Sequence, residues 1–289
     1  MEKTATRLTR SCLLCEGRHF SDDSNGMGQR RSSLRGMKVK VLGCYGGIAP
    51  GQGMTSFLIN DTVALDAGGL SYALSVDKQA LVKDIFISHA HLDHTCCLPF
   101  IIDNSFAAPG FSLRIYGVHE VVQALSKHLF NGSLWPDFTS IPDDLTPVLK
   151  LVTIEPEKPV KVGNLKIRAV PVSHSVATTG FIVDDGTSSL AFSSDTGPTH
   201  RFWDVVNETK NLKAVITEAS FPNAEEGLAR ISGHLTPALL GQELQKLKRD
   251  VPVYIYGPKP RFVKRISKEL DALKRRRMTL FVQGRTYTI

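Results

Sequence analysis

The sequence predicts an α/β protein in which two packed β-sheets lie between outer helices. Short runs with strand-like apolar alternation fall into two groups along the chain, and helical patterns separate them. Hairpin signals also join neighbouring strands within each group, at residues 56–66 and at Asp184-Asp185-Gly186. A purely parallel, doubly wound sheet would not need these hairpins, so two mixed sheets are favoured.

The elements follow in chain order from local patterns. In the first group the alternating or apolar runs predict strands at residues 38–43, 56–59, 63–66, 84–88 and 113–116, with helices at 77–82 and 119–130. In the second group they predict strands at residues 165–172, 179–183, 189–193, 214–217, 253–256 and 279–282. A helix begins at Thr236, because a threonine N-cap followed by Pro237 is a strong start signal. A last helix is predicted at residues 262–274.

Composition limits the classes of protein to consider. The chain has 289 residues, of which 42% are hydrophobic and 22% charged, so collagen, coiled coil and wholesale disorder are excluded. No run approaches the roughly 18 to 20 apolar residues of a membrane helix, so no membrane partner is expected. Five cysteines cannot all pair, which favours reduced thiols and a cytoplasmic location. Residues 1–36 are polar and aperiodic, so we predict a flexible leader there and one folded domain over residues 37–289.

The strongest chemical signal is a cluster of histidines. Three of the nine histidines fall within six residues, in the run His89-Ala90-His91-Leu92-Asp93-His94. The cluster begins where the apolar run 85–87 ends, and in extended chain His89 and His91 point to the same side. Imidazole and carboxylate are the donors that Zn²⁺, Mn²⁺ or Fe take at catalytic sites. A hydrogen-bonded network without a cation is the weaker alternative, because it would leave buried lone pairs unsatisfied.

Three further candidates follow predicted strands. His174 follows the strand 165–172, Asp195 follows the strand 189–193, and His234 lies just before the helix that begins at Thr236. Each alone is more often a capping or packing residue than a ligand. Together with the cluster, each lies where a sheet edge delivers side chains to one place.

The motifs resemble those of a known superfamily. The run His89 to His94 matches the His-x-His-x-Asp-His motif, and the chain resembles the metallo-β-lactamase fold superfamily. Within it the chain is similar to the class II 3′,5′-cyclic-nucleotide phosphodiesterases over about residues 38–289. The stretches that carry this similarity are Val41-Leu42-Gly43-Cys44-Tyr45-Gly46-Gly47, Thr55-Ser56-Phe57-Leu58-Ile59, Ser88 to His94, Glu218-Ala219-Ser220-Phe221-Pro222-Asn223, Gly233-His234-Leu235-Thr236-Pro237 and Gln283-Gly284-Arg285-Thr286-Tyr287.

The resemblance implies an αββα sandwich of two mixed sheets with outer helices and two divalent ions at one edge, zinc first and manganese or iron as alternatives. The implied ligands of one ion are His89, His91 and His174. Those of the other are Asp93 and His94, with Asp195 bridging the two ions. Asp66 matches the acid that orients ligand histidines in the superfamily.

The chain departs from the family at one ligand. The family ends its penultimate strand with a histidine ligand of the second ion, and Gly257 aligns with that histidine. A weakened second ion site, a single-metal enzyme and a site without activity all stay open at this point.

The function implied by the resemblance is metal-dependent hydrolysis of a 3′,5′-cyclic nucleotide such as cAMP or cGMP to the 5′-monophosphate. Asp93 is expected to accept a proton from water, and His234 to contact the phosphate or protonate the leaving 3′-oxygen. The alternatives are an RNA endonuclease of the tRNA 3′-processing type and a weakened metal- or nucleotide-binding protein. The basic net charge of +7 is compatible with RNA, but Asp137, Asp143 and Asp144 in the inserted stretch 131–150 oppose phosphate binding. A homodimer is compatible with the sequence.

Overall fold

The computed structural model describes residues 36–289. The leader predicted for residues 1–36 therefore lies almost wholly outside the described residues, and its boundary stays a prediction. Within the described residues, no helix combines the length and the apolar character needed to cross a lipid bilayer.

The described chain forms two seven-stranded sheets. The strands of the first sheet are β1 (Lys38–Gly43), β2 (Ser56–Ile59), β3 (Val63–Leu65), β4 (Asp84–Phe86), β5 (Leu113–Gly117), β6 (Leu149–Thr153) and β14 (Thr286–Thr288). Those of the second are β7 (Val160–Val162), β8 (Leu165–Pro171), β9 (Thr179–Asp184), β10 (Ser189–Phe192), β11 (Leu212–Glu218), β12 (Val253–Tyr256) and β13 (Met278–Leu280). The spatial orders are β14-β1-β2-β3-β4-β5-β6 and β13-β12-β11-β10-β9-β8-β7.

Both sheets are mixed, as the hairpin signals predict. Strands β1 to β3 pair antiparallel, whereas β3 to β6 pair parallel. In the second sheet β7 to β10 pair antiparallel, and β10 to β13 pair parallel. Each sheet therefore has parallel strands whose carboxyl ends can deliver side chains to a shared edge.

Helices cover the outer faces of the sheets. They are α1 (Leu70–Ala73), α2 (Val76–Gln79), α3 (Leu92–Thr95), α4 (Leu98–Ser105), α5 (His119–His128), α6 (Arg201–Glu208), α7 (Glu226–Ser232), α8 (Pro237–Glu243) and α9 (Val263–Ala272). One apolar cluster joins α1, α4 and α5 to the first sheet, and another joins α6, α8 and α9 to the second. A third cluster lies between the sheets and includes Phe57, Phe86, Phe181 and Phe192. These three cores confirm the predicted αββα sandwich.

Most predicted elements agree with the structure to within a few residues, and the differences have physical reasons. The Thr236 hydroxyl accepts a hydrogen bond from the Leu239 N–H at 3.2 Å, so the predicted start of α8 is confirmed. Helices α1, α3, α4, α6 and α7 are not among the predicted elements. Strands β6, β7 and β14 were also missed. Strand β14 has only three residues and pairs with β1, which lies about 250 residues earlier in the chain, so no local pattern marks it.

Candidate metal centre

The first two histidines of the cluster follow the buried strand β4. The backbone is extended at His91, and the short helix α3 then begins at Leu92. His89 is fully buried, and its Nε2 lies 3.1 Å from Nδ1 of His91. One turn of helix later the chain brings His94, also fully buried, to within 4.1 Å of His89 between ring centroids.

Asp66 fixes the orientation of this segment from underneath. Its carboxylate is fully buried and accepts hydrogen bonds from the Ser88 N–H (2.8 Å), the Ser88 hydroxyl (2.9 Å) and His94 Nδ1 (2.7 Å). The Ser88 hydroxyl donates its proton to Asp66, so it can only accept from His89 Nδ1, which lies 3.0 Å away. The His89 ring is thereby left with an unprotonated Nε2 facing the site. Asp66 itself has a left-handed φ of 57°, a conformation that aspartate tolerates better than most residues.

His174 reaches the site from the loop between β8 and β9. Its Nδ1 donates to the Gly233 carbonyl at 2.7 Å, which leaves Nε2 as an acceptor 3.3 Å from His91 Nδ1. Gly233 has a φ of 71°, and a Cβ there would lie 2.8 Å from the His174 Cα. A glycine is therefore required where the chain passes this histidine.

Asp195 enters from the end of β10. Its Oδ2 lies 3.3 Å from His94 Nε2, and its Oδ1 accepts a hydrogen bond of 2.9 Å from the Tyr256 hydroxyl. Burial alone would raise the pKa of Asp195, but the charges of His94, His234 and His89 and the hydrogen bond with His94 together hold it well below its usual range. Burial likewise acts to lower the pKa of His94, but Asp195 and Asp66 on its two sides raise it.

The nitrogen and oxygen atoms of these side chains lie close enough together to bind the same ions. Ligand atoms lie within 4.8 Å of one another in three groups: His89, His91 and His174; His89, His94 and Asp195; and His174, Asp195 and His234. His89 and His174 ring centroids are 4.8 Å apart, although the residues are 85 positions apart in the chain. The structure thus brings together five of the six predicted metal ligands. Their roles as ligands stay predictions.

The histidine donor set fits a divalent cation. Burial lowers the pKa of His89, His91 and His174, so these rings are neutral. His91 Nδ1 lies 3.1 Å from His89 Nε2 and 3.3 Å from His174 Nε2, and a single proton on it could form a hydrogen bond to only one of them. In the other contact, two nitrogen lone pairs would face each other with no proton between them. A cation bound to all three nitrogens removes that conflict.

Asp93 is the predicted ligand that lies apart. Its carboxylate belongs to none of the three groups found within residues 36–289. Its Oδ2 instead lies 3.7 Å from Nζ of Lys259, and both side chains are partly exposed. Gly257, which takes the place of the family's histidine, follows β12 with a left-handed φ of 83°.

His234, predicted as a catalytic residue, sits beside the donor groups with a partner that the sequence did not suggest. Its Nδ1 contacts Glu218 Oε1 at 2.8 Å, and Glu218 is fully buried at the end of β11. Burial acts to lower the pKa of His234, but the charge of Glu218 and its hydrogen bond raise it. Glu218, Tyr256 and Lys259 were not predicted as site residues. For Glu218 a signal existed, since it is a carboxylate that ends a buried apolar strand.

The fold and this histidine-rich edge define the chain as a metal-dependent hydrolase of the metallo-β-lactamase fold. Within that class, the chain belongs to the family described as cAMP phosphodiesterases class-II, whose family model matches residues 72–260.

Relatives agree with the family. The chain is 32% identical over 252 residues to a 3′,5′-cyclic-nucleotide phosphodiesterase of Aliivibrio fischeri, covering 72% of this chain and 74% of that protein. It is 27% identical to a probable 3′,5′-cyclic-nucleotide phosphodiesterase of Yersinia pestis, covering 80% of both.

Solved structures share the fold. Unliganded yeast PDE1 superposes with a TM-score of 0.77 at 20% identity, covering 88% of this chain and 99% of that chain. The metallo-β-lactamase fold protein YhfI of Bacillus subtilis gives a TM-score of 0.70 at 18% identity, with the same coverage. The short form of human tRNase Z gives 0.63 at 16% identity, covering 86% of this chain and 98% of that one.

Proposed function

We propose that this protein hydrolyses the phosphodiester bond of a 3′,5′-cyclic nucleotide, such as cAMP or cGMP, to give the 5′-monophosphate. One observation carries the proposal: the stretch that matches the class-II family, residues 72–260, contains every predicted metal ligand and the predicted catalytic residues. The convergence of neutral imidazoles with Asp195 at the end of the sheets supplies a place for the chemistry.

We propose zinc as the metal, with His89, His91 and His174 as its ligands and Asp195 beside them. Three imidazoles with a carboxylate suit Zn²⁺, and manganese or iron are the alternatives with the same donors. A divalent cation bound there supplies Lewis acidity, which lowers the pKa of water to about 7 and stabilises charge on phosphoryl oxygens. The sequence-based count of two ions depends on Asp93, His94 and Asp195.

Two side chains of the protein, His234 and Asp93, are placed to donate and to accept protons in this reaction. Glu218 holds Nδ1 of His234 at 2.8 Å, so the opposite ring nitrogen is free to give a proton to the 3′-oxygen as the P–O3′ bond breaks. Because Glu218 raises the pKa of His234, the protonated ring persists to higher pH. Asp93 is partly exposed and can accept the proton that water loses.

A product analysis with defined substrates tests the proposal. Purified protein with added Zn²⁺ or Mn²⁺ is incubated with a panel of 3′,5′-cyclic nucleotides and with bis-p-nitrophenyl phosphate, and products are separated by chromatography. We expect 5′-monophosphates and no 3′-monophosphates. Cleavage of bis-p-nitrophenyl phosphate without turnover of any cyclic nucleotide would refute the proposed substrate class.

The RNA endonuclease alternative gains no support from the inserted stretch. That stretch carries Asp137, Asp143 and Asp144 but only Lys150 as a cation, whereas RNA phosphates require the opposite charge. We also propose a cytoplasmic location, because Cys44, Cys96 and Cys97, the cysteines of the described chain, are unpaired. A homodimer stays a prediction.

A further inference from the structure

The segment after β12 presents a lysine to the site at the position where a second metal ion would need a ligand. Gly257 has no side chain that could bind a metal ion, and its left-handed φ of 83° disfavours any other residue. A Cβ built there would lie 3.2 Å from Ser220 Oγ and 3.5 Å from Glu218 Cβ. Two residues later, Lys259 extends its side chain to within 3.7 Å of Asp93.

The backbone holds this lysine in place. The Gly257 N–H donates to the Cys44 carbonyl at 2.8 Å, and the Lys259 N–H donates to the Ser220 carbonyl at 3.1 Å. Pro260 follows the lysine, and a residue before a proline is restricted to the extended region, in agreement with the Lys259 ψ of 136°.

A glycine across from this segment leaves room for the lysine side chain. A Cβ built on Gly46 would lie 3.1 Å from Lys259 Nζ and 3.2 Å from its Cδ, closer than most side-chain contacts. The ammonium group therefore lies against bare backbone. Its position follows from the packing of two loops and not from chance orientation of a surface side chain.

The groups on this side of the site are the wrong kind for a second cation. A metal ion needs acceptors, and an open catalytic site usually has three protein ligands. Asp93 faces an ammonium group, and Gly257 contributes nothing. His89 belongs to the ligands of the first ion and His234 Nδ1 contacts Glu218, which leaves His94 and Asp195 for a second ion. Ser220 adds a buried hydroxyl that lacks a hydrogen-bond partner within the described chain, and it lies against Gly257. An ammonium and a hydroxyl are donors, and donors suit a phosphate oxygen.

We propose that the chain binds one divalent ion, and that the Lys259 ammonium supplies beside Asp93 the positive charge that a second ion would bring to the substrate phosphate. The phosphate contact rests on the proposed function, whereas the count of ions does not depend on it. The two-ion prediction from the sequence and this proposal make opposite statements about metal content.

Metal content tests the count. Protein freed of metal with a chelator is reconstituted with excess Zn²⁺, passed through gel filtration and measured by mass spectrometry of the metal against protein concentration. We expect about one equivalent per chain, as the complete histidine donor set predicts. A value near two equivalents, or near zero, overturns the proposal.

Charge variants test the lysine itself. Lys259→Met should lower kcat for bis-p-nitrophenyl phosphate about 10²-fold, as loss of a transition-state donor does, while the metal content stays at one equivalent. Lys259→Arg keeps the charge and should stay within about tenfold of the wild type. Lys264→Met, which changes an exposed lysine of α9, is the matched control and should have no effect. Wild-type kcat in Lys259→Met would overturn the role of the lysine.

A charge reversal gives a gain of binding that a structural role would not produce. Lys259→Glu replaces an ammonium group, which repels a cation, by a carboxylate that can bind one beside Asp93. The metal content should therefore rise towards two equivalents. A content that stays at one equivalent contradicts the argument that the lysine excludes a second ion. The metal contents of the wild type and of Lys259→Glu do not depend on the proposed function, which fails only if the wild type turns over no cyclic nucleotide.

Discussion

Two sides of the site differ in how firmly their groups are held. On the histidine side, formed by His89, His91 and His174, internal hydrogen bonds of 3.0 Å and 2.7 Å fix the rings of His89 and His174. On the lysine side, formed by Asp93, Gly257 and Lys259, the only polar side-chain contact among the described residues is a 3.7 Å ion pair between partly exposed groups. The comparison teaches that donor atoms suit a metal ion when buried partners fix both the tautomer and the ring orientation.

The largest effect is expected from breaking the histidine side. His91→Ala removes the imidazole that contacts both other rings, so metal content should fall below detection. Metal-dependent cleavage of bis-p-nitrophenyl phosphate should fall roughly 10³-fold, because several kcal/mol of transition-state stabilisation are lost with the ion. His128→Ala, at an exposed position of α5, is the control. Undiminished activity of His91→Ala would refute the metal centre.

A smaller effect is expected from loosening the support beneath the same side. Asp66→Asn keeps the size of the side chain and tolerates the left-handed backbone, but it loses the charge that holds His94 and Ser88. Metal affinity should fall about 10- to 100-fold, the usual cost of losing such a partner. Competition with a chromophoric chelator measures the affinity, and excess metal should restore most of the activity. Unchanged affinity would show that Asp66 does not orient the ligands.

The partner of His234 offers an intermediate test with a distinct signature. Burial lowers the pKa of His234, but Glu218 raises it, so removing the Glu218 charge must lower that pKa. In Glu218→Gln the protonated ring is then lost at lower pH, and the alkaline limb of the kcat profile should move to lower pH. At neutral pH we expect a loss of roughly tenfold, less than the cost of removing a proton donor altogether. Glu226→Gln, at a partly exposed position of α7 that pairs with Arg230, should leave the profile unchanged.

The smallest effect on metal binding is expected on the lysine side. Asp93→Asn removes only a partly exposed ion pair with Lys259, and such pairs contribute about 0–1 kcal/mol. Zinc affinity should therefore change by less than about fivefold, although kcat falls if Asp93 accepts a proton. Isothermal titration with Zn²⁺ measures both affinity and stoichiometry. Loss of a whole equivalent of metal would instead assign Asp93 as a ligand, so that both sides of the site would bind metal.

Several features of the molecule follow from the sequence alone. The run from His89 to His94 follows an apolar strand, and this local pattern predicts both the buried strand and the donors at its end. Thr236 and Pro237 mark a helix start by rules that involve only neighbouring residues, and the hairpin signals predict mixed sheets. The strand ends at His174 and Asp195 were also visible, as was the resemblance to the phosphodiesterase family.

The tertiary structure decided what depends on residues far apart in the chain. Pairing of β14 with β1, and the contacts of Glu218 with His234 and of Tyr256 with Asp195, join segments that no local pattern connects. The sequence placed Asp93 with the metal ligands, whereas the fold turns its carboxylate towards Lys259. Local propensity reflects the nearest few residues, but the direction of a side chain at a sheet edge depends on how separate loops pack, and only the assembled fold determines that packing.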